Sequence, residues 1–186
     1  MTGEPSPITL ETQRLVFRRL VPGDLDALAA LYADPAVRRY FPEGTLTRDE
    51  TREELEHFLH GHPLDARCGL WATLLKETGE FVGRCGLLVY DIDGRREHEV
   101  AYTIARRHWG RGLGTEAARG VRDYGFHALG LERLICLIDH GNVASQRVAA
   151  KIGMAFEREG RDDKGPYMLY AMRRPEPLRW PSGDAP

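Results

Sequence analysis

The segment from Ala105 to Gly120, "ARRHWGRGLGTEAARG", combines glycines and arginines in a pattern that suits an anion. Glycines let backbone N–H groups approach a ligand closely, because no Cβ atom stands in the way. The alanine-rich residues that follow favour a helix, and the N-terminus of a helix carries partial positive charge. The segment therefore predicts a phosphate-binding loop, with a tight strand-to-helix connection as the alternative interpretation.

The cysteines and histidines do not form a metal-binding pattern. Cys68, Cys85 and Cys136 lie far apart in the chain, without a C-x-x-C pair or a histidine at metal-ligand spacing. We interpret them as buried thiols and predict no metal. His57 and His60 lie on a charged helical segment, where a solvated helix face is the simpler interpretation.

Length and charge restrict the class of protein. The chain has 186 residues and a formal net charge of −2 at pH 7, which suits one domain with a substantial core. The near-neutral charge argues against a nucleic-acid partner and against a polybasic membrane anchor. Since no apolar run approaches the ~20 residues that span a bilayer and the N-terminus lacks a signal-peptide pattern, we expect a cytoplasmic monomer or homodimer without a membrane partner.

Alternating and helical patterns define the elements that precede the loop. Asp24 is placed to cap a first helix, and Thr47 with Glu50 has the spacing of a capping box for a second. Three β-favouring runs follow and predict an antiparallel meander. They occupy residues 70–76, 81–90 and 99–105. The last of these strands leads directly into the loop.

The elements after the loop complete a single domain. A helix that ends near Gly130 and a buried-type strand at 133–139 predict a parallel crossover, and Asn142 caps a further short helix. The order β-α-α-β-β-β-α-β-α-β-β indicates an α/β (mixed α+β) fold, with a central mixed, mostly antiparallel sheet of about seven strands between helices. We assign the domain to residues 8–174, with tails at 1–7 and 175–186.

Four segments in this order resemble the GNAT superfamily of acetyl-CoA-dependent N-acetyltransferases, and more closely its ribosomal-protein (RimJ/RimL) branch. They are "TQRLVFRRLVPGDLDAL", "GEFVGRCGL", "EVAYTIARRHWGRGLGTEA" and "NVASQRVAAKIGM", which together extend over residues 12–154. The superfamily loop pattern begins with Gln or Arg, and Trp109 stands there instead, followed by Gly112 and Gly114. The resemblance implies a single GNAT domain that transfers acetyl from acetyl-CoA to a primary amine.

The resemblance also implies a set of cofactor-binding residues. Backbone groups of Thr103 and Ile104 would pair with the pantetheine arm, and Asn142 would reach the pantetheine or the thioester while it caps its helix. Arg106, Arg111 and Lys151 would contact phosphates, with a solvated surface charge as the alternative for each. The pyrophosphate loop would comprise Trp109, Gly110, Arg111, Gly112, Leu113, Gly114 and Thr115.

The catalytic residues implied by the resemblance are Glu99 and Ser145. Glu99, at the start of the cofactor strand, would take a proton from the amine, directly or through water. Glu97 lies on the same strand face and is the alternative base, whereas a solvated carboxylate is the non-catalytic alternative. Ser145 would donate a proton to the departing sulfur, or would only cap its helix. Ala149 replaces the tyrosine that serves many family members as general acid, so that route is absent.

The acceptor is an amine of unspecified kind. A lysine amine is neutral less than about 0.1% of the time at pH 7, and an α-amine roughly a tenth of the time. A protein N-terminus or a similar small amine is therefore deprotonated more easily by a catalytic base. A catalytically weak CoA-binding or CoA-sensing domain is the alternative function. A P-loop hydrolase is disfavoured because no Gly-Lys-Ser/Thr closes the loop.

Overall fold

The computed structural model describes residues 8–175, so the predicted N-terminal tail and residues 176–186 of the predicted C-terminal tail lie outside the described residues. The strands are β1 (Ile8–Glu11), β2 (Leu15–Arg19), β3 (Gly69–Leu75), β4 (Phe81–Ile92), β5 (Arg95–Ile104), β6 (Arg133–Ile138), β7 (Ala155–Asp162) and β8 (Gly165–Arg173). The helices are α1 (Leu25–Tyr32), α2 (Pro35–Arg38), α3 (Arg48–Phe58), α4 (Leu113–Asp123) and α5 (Val143–Lys151).

The strands form one sheet in the order β1-β2-β3-β4-β5-β6-β8-β7. All neighbours are antiparallel except β5 and β6, which are parallel as the crossover through α4 requires. The predicted fold class and meander are confirmed. The sheet has eight strands rather than about seven, because β1 pairs with β2 in a segment whose short length hid it from pattern analysis.

Helices cover both faces of the sheet, and the sheet separates the two larger apolar cores. Leu113, Ala117 and Val121 recur at helical spacing and bury one face of α4 against β4 and β5. On the opposite face, Leu28 of α1 and Leu55 of α3 belong to the second core. Within residues 8–175, no helix combines the length and the apolar character needed to cross a membrane.

Of the two early caps, one is confirmed and one is wrong. Thr47 and Glu50 form a reciprocal capping box at the start of α3, with N–H to oxygen distances of 2.7 and 3.3 Å. Asp24 does not cap α1. Its carboxylate instead accepts the Val21 N–H and pairs with both terminal nitrogens of Arg18, at 2.7 and 2.8 Å. The bidentate ion pair uses both carboxylate oxygens and so outcompetes the helix N–H groups.

Candidate active site

The predicted phosphate-binding loop forms the N-terminus of α4. Gly110 and Gly112 have φ angles of +74° and +76°, a conformation that favours glycine, and Gly112 is the residue immediately before the helix. Among the described residues, none accepts a hydrogen bond from the backbone N–H groups of 110–115. A row of free N–H groups at a helix N-terminus suits an anion such as pyrophosphate.

A polar clamp that the sequence pattern did not reveal holds this loop to the start of the sheet. Glu116, in the first turn of α4, accepts hydrogen bonds from the Thr12 hydroxyl and the Arg14 N–H, both at 2.7 Å. The Arg14 guanidinium bonds the other Glu116 oxygen at 2.6 Å and the Arg111 carbonyl at 3.0 Å. Burial raises the pKa of Glu116, but these hydrogen bonds outweigh it and the pKa is lowered. The carboxylate therefore stays ionised and anchors the loop.

The predicted basic residues separate into two groups. Lys151, Gly112 and Thr115 line a cavity of about 840 Å³ beside α4, so a lysine and the loop do face the same space. Arg106 lines a different cavity of about 530 Å³ against α1. Arg111 lies 3.1 Å from the ring of His108. The structure brings Lys151 to the loop and does not bring Arg106 there.

β5 and β6 diverge beside the loop. They share a single registered pair, Glu99 with Ile135, so the part of β5 that follows Glu99 faces an opening between the two parallel strands. At the end of β5, the Ile104 carbonyl accepts the Trp109 indole N–H at 2.7 Å, and the hydroxyl of the preceding Thr103 is buried without a partner. This hydrogen bond fixes Trp109 against the end of β5. It also occupies the Ile104 carbonyl, which was predicted to pair with the pantetheine arm.

Glu99 lies at the point of divergence. Its carboxylate accepts the Leu137 N–H at 2.9 Å, in place of a strand partner. Burial raises the pKa of Glu99 to about 7, and the Leu137 N–H, the Arg84 cation and the Tyr90 hydroxyl only partly oppose this. A carboxyl group of this kind exchanges protons near neutral pH.

Glu97, the alternative base, is engaged elsewhere. Only 6% of its surface is exposed, and the Arg133 guanidinium donates to both of its oxygens at 3.1 and 3.2 Å. Arg133 also binds Glu157 in a bidentate pair. Glu97 therefore belongs to an ion-pair network that joins β5, β6 and β7, whereas Glu99 has no arginine on its oxygens.

The N-terminus of α5 carries the second predicted catalytic residue. Asn142 caps the helix by accepting the Ser145 N–H at 3.1 Å, which confirms the predicted cap. The Ser145 hydroxyl makes no hydrogen bond to any described residue, so capping does not explain it. Its carbonyl accepts the Tyr102 hydroxyl of β5 at 3.0 Å, which ties α5 to the cofactor strand.

On the α1–α3 face, a set of buried charged and aromatic side chains escaped sequence analysis. This Arg84 cluster comprises Tyr32, Arg38, Phe41, Glu54 and Arg84. Arg84 donates to the Tyr32 hydroxyl at 2.8 Å, and that hydroxyl donates to Glu54. The Arg38 guanidinium lies 4.2 Å from the centre of the Phe41 ring. Long-range packing assembles these residues, which come from α1, α2, the connection after α2, α3 and β4.

The same face is bordered by two connecting segments. Lys164, in the turn between β7 and β8, forms an ion pair of 2.9 Å with Glu43, in the connection between α2 and α3. Tyr40 of that connection lies against the turn before α5, since a Cβ atom on Gly141 would come within 3.1 Å of its ring. The two segments therefore meet beside Glu99, whose pKa the Lys164 cation lowers.

All three cysteines are buried free thiols, as predicted. Cys68 comes together with Asp65 and His98, and the potential ligand atoms of the three lie within 4.8 Å of one another. Sequence spacing did not reveal this group. Both Asp65 oxygens are bonded by Arg67, at 2.7 and 3.0 Å, so they are already occupied by a cation.

Comparison with known proteins agrees with this geometry. A family model described as an acetyltransferase (GNAT) domain matches residues 14–155. The chain belongs to the GNAT acetyltransferase family. It is 37% identical to the uncharacterised protein YkkB of Bacillus subtilis over 162 residues, which cover 87% of this chain and 93% of the relative. It is 30% identical to the uncharacterised N-acetyltransferase p20 of Bacillus licheniformis, over 82% of this chain and 84% of that protein.

A solved structure of the ribosomal L7/L12 α-N-protein acetyltransferase RimL in complex with coenzyme A has the same fold. Its TM-score is 0.73 at 15% identity, over 90% of this chain and 98% of that one. This GNAT protein is accordingly an N-acetyltransferase that uses acetyl-CoA as its acyl donor. The free N–H groups at the N-terminus of α4 and the opening between β5 and β6 fit that cosubstrate.

Proposed function

We propose that this GNAT enzyme transfers acetyl to an α-amine of a peptide N-terminus or to a small-molecule amine, in the manner of the RimJ/RimL branch. The observation that carries the proposal is the position of Glu99, a half-buried carboxyl group with a pKa of about 7 where β5 and β6 part. The amine nitrogen attacks the thioester carbon directly, the carbon–sulfur bond breaks, and the nitrogen loses a proton.

Residues of the α4 loop would hold the cosubstrate. The free N–H groups of 110–115 would bind the pyrophosphate, with Lys151 adding a positive charge from the adjacent cavity. The Asn142 side-chain oxygen is used by its helix, which leaves the amide nitrogen for the pantetheine arm. Trp109 would contribute by fixing the end of β5 rather than by contacting phosphate.

Glu99 would act as the base. An ordinary carboxylate with a pKa of about 4.3 is a weak proton acceptor for an α-amine of pKa about 7.7–8.0. Burial brings the pKa of Glu99 to about 7, so proton transfer from such an amine is nearly balanced. A lysine side chain, with a pKa of about 10.4, leaves a far larger gap, and this favours α-amines as acceptors.

Ser145 would donate a proton to the departing thiolate and recover it from solvent. Its hydroxyl has no partner among the described residues and lies in the first turn of α5. Tyr102 would position this turn through its bond to the Ser145 carbonyl. Burial raises the pKa of Tyr102, which keeps its hydroxyl protonated as the donor in that bond.

The proposal is tested by an acetyl-transfer screen over peptide N-termini and small amines. The readout is the release of free thiol. We expect turnover with at least one α-amine class and slower transfer to matched ε-amine peptides. Tight acetyl-CoA binding without amine-dependent thiol release would instead assign the chain as a catalytically weak CoA-binding domain. Cell fractionation and light scattering test the predicted cytoplasmic location and the predicted monomeric or homodimeric state.

A further inference from the structure

The Arg84 cluster contains two buried guanidinium groups in one aromatic surrounding. Arg38 and Arg84 expose only 3% and 5% of their surfaces. Arg84 lies 5.6 Å from the centre of the Tyr32 ring and 5.8 Å from that of Phe41, and Arg38 stacks on the same two rings. Burial of two like charges side by side is costly unless anions compensate them.

The anions present do not saturate these arginines. A guanidinium has five N–H donors. Arg84 uses one of them on the Tyr32 hydroxyl, and its nearest carboxylate oxygen, on Glu54, is 4.0 Å away. Arg38 bonds the Gly44 carbonyl at 2.6 Å and reaches Glu43 only at 3.4 Å.

The remaining donors of Arg84 have no hydrogen-bond partner among the described residues. Among those residues, the side-chain polar atoms that are fully buried without a partner are the hydroxyls of Thr73 and Thr103. The terminal nitrogens of Arg84 are not among them, so they keep a small accessible surface although the residue is only 5% exposed. A guanidinium that is nearly buried and has unused donors is a binding group for a planar anion.

Arg84 and Glu99 lie on the same face of the sheet. In the register of β4 and β5, Arg84 is opposite Thr103 and Leu88 is opposite Glu99, so the two side chains project to the same side. The Arg84 and Lys164 cations both lower the pKa of Glu99. Glu43 is shared between Lys164 and Arg38, and Glu54 is the remaining carboxylate of the cluster. Tyr90 also faces Glu99, and burial raises its pKa, so this hydroxyl stays neutral. Asp162 and Asp163 also act on Lys164, so the donors that remain unpaired in this region belong to Arg38 and Arg84.

We propose that the acceptor carries a carboxylate several bonds from its amine, and that Arg84, supported by Arg38, binds this carboxylate while the amine lies at Glu99. The proposal rests on the acetyl-transfer function proposed above and narrows its acceptor class to acidic amino acids or acidic peptides. A polyamine would place a further ammonium group beside two buried arginines, so it is disfavoured.

Matched acceptors test the proposal on the wild-type enzyme. Peptides with Asp or Glu at the first or second position are compared with their Asn or Gln counterparts, and free Asp and Glu with free Asn and Gln. Side-chain pairs leave the α-amine nearly unchanged, so the ratio of kcat/KM isolates the carboxylate. Because a hydrogen bond to a charged group is worth more than a neutral one, we expect the best acid to exceed its amide by on the order of 10- to 100-fold.

Substitution of Arg84 assigns the effect to this residue. In Arg84→Gln we expect the acid-to-amide ratio to fall close to one, mainly through KM, and Arg84→Lys to recover part of it. Arg18→Gln is the matched control, since Arg18 is a partly buried arginine on the same sheet whose charge is already saturated by Asp24. It should keep the wild-type ratio. If Arg84→Gln does not fold, the proposal is tested by the acid-to-amide ratios of the wild type and of Arg84→Lys.

The outcomes separate the two proposals. Transfer to acids and amides at equal rates, in every scaffold, would overturn the carboxylate proposal and leave the proposed function intact. A wild-type preference that Arg84→Gln retains would also overturn it. Absence of transfer to any amine would refute the proposed function itself.

Discussion

Replacement of Glu99 by Gln is expected to raise stability and lower activity over the same pH range. The folded protein holds the Glu99 proton up to a pKa of about 7, whereas the unfolded chain releases it near 4.5. Between these values the unfolded state binds fewer protons, so the stability of the wild type falls as pH rises. The full difference corresponds to about 3 kcal/mol at 1.36 kcal/mol per unit, and partial access of solvent reduces it to about 2 kcal/mol.

The Glu99→Gln variant carries no ionisable group at this position, so its stability does not fall with pH for this reason. Gln retains an oxygen that can accept the Leu137 N–H, so the variant is close to a protonated wild type. Urea unfolding of the ligand-free proteins from pH 5 to pH 8.5 should therefore show a stability advantage of Glu99→Gln that grows with pH to about 2 kcal/mol. In thermal scans this equals roughly 4–8 °C for a chain of this size.

Activity should change in the opposite direction. Loss of a general base costs about 10²–10⁴ in kcat/KM, and higher pH should partly restore the rate because more of the amine is then neutral. Glu97→Gln is the control, since it breaks the ion pair with Arg133 and should lower stability at neutral pH. A stability difference for Glu99→Gln that does not vary with pH, or an unchanged pH–rate profile, would refute the assignment of Glu99.

Three further predictions concern the cosubstrate site. Gly114→Asp should weaken acetyl-CoA binding sharply in calorimetry, and Gly114→Ala should not, since a Cβ atom at this position meets only Ile104 at an ordinary 3.7 Å. Ser145→Ala should lower turnover near the low end of 10²–10⁴ with an unchanged melting temperature, because Asn142 provides the cap; a lower melting temperature with normal turnover would identify a structural role. Glu116→Gln should release the clamp with Arg14, reducing acetyl-CoA affinity and thermal stability together, and unchanged affinity would remove the clamp from the site.

Local patterns in the sequence determined the elements and the position of the loop. Some features depend on residues that are close in the chain, so the sequence predicts them without knowledge of the fold. They are the caps at Thr47 and Asn142, the alternation of the meander strands and the glycines at 110 and 112. The prediction that Asp24 caps α1 was wrong because a cap and an ion pair compete for one carboxylate. The arginine that binds it, Arg18, lies six residues earlier in β2, outside the local capping pattern.

The tertiary structure decided which of these residues face one another. Glu97 and Glu99 are equivalent in sequence, and only the packing of β6 gives Arg133 to the first and the opening between strands to the second. The pKa of Glu99 depends on desolvation, which arises from residues far away in the chain. Arg38 and Arg84 likewise come together only because α2 and β4 both bring an arginine to Tyr32 of α1. Burial and charge depend on the whole fold, whereas sequence motifs report only neighbours along the chain.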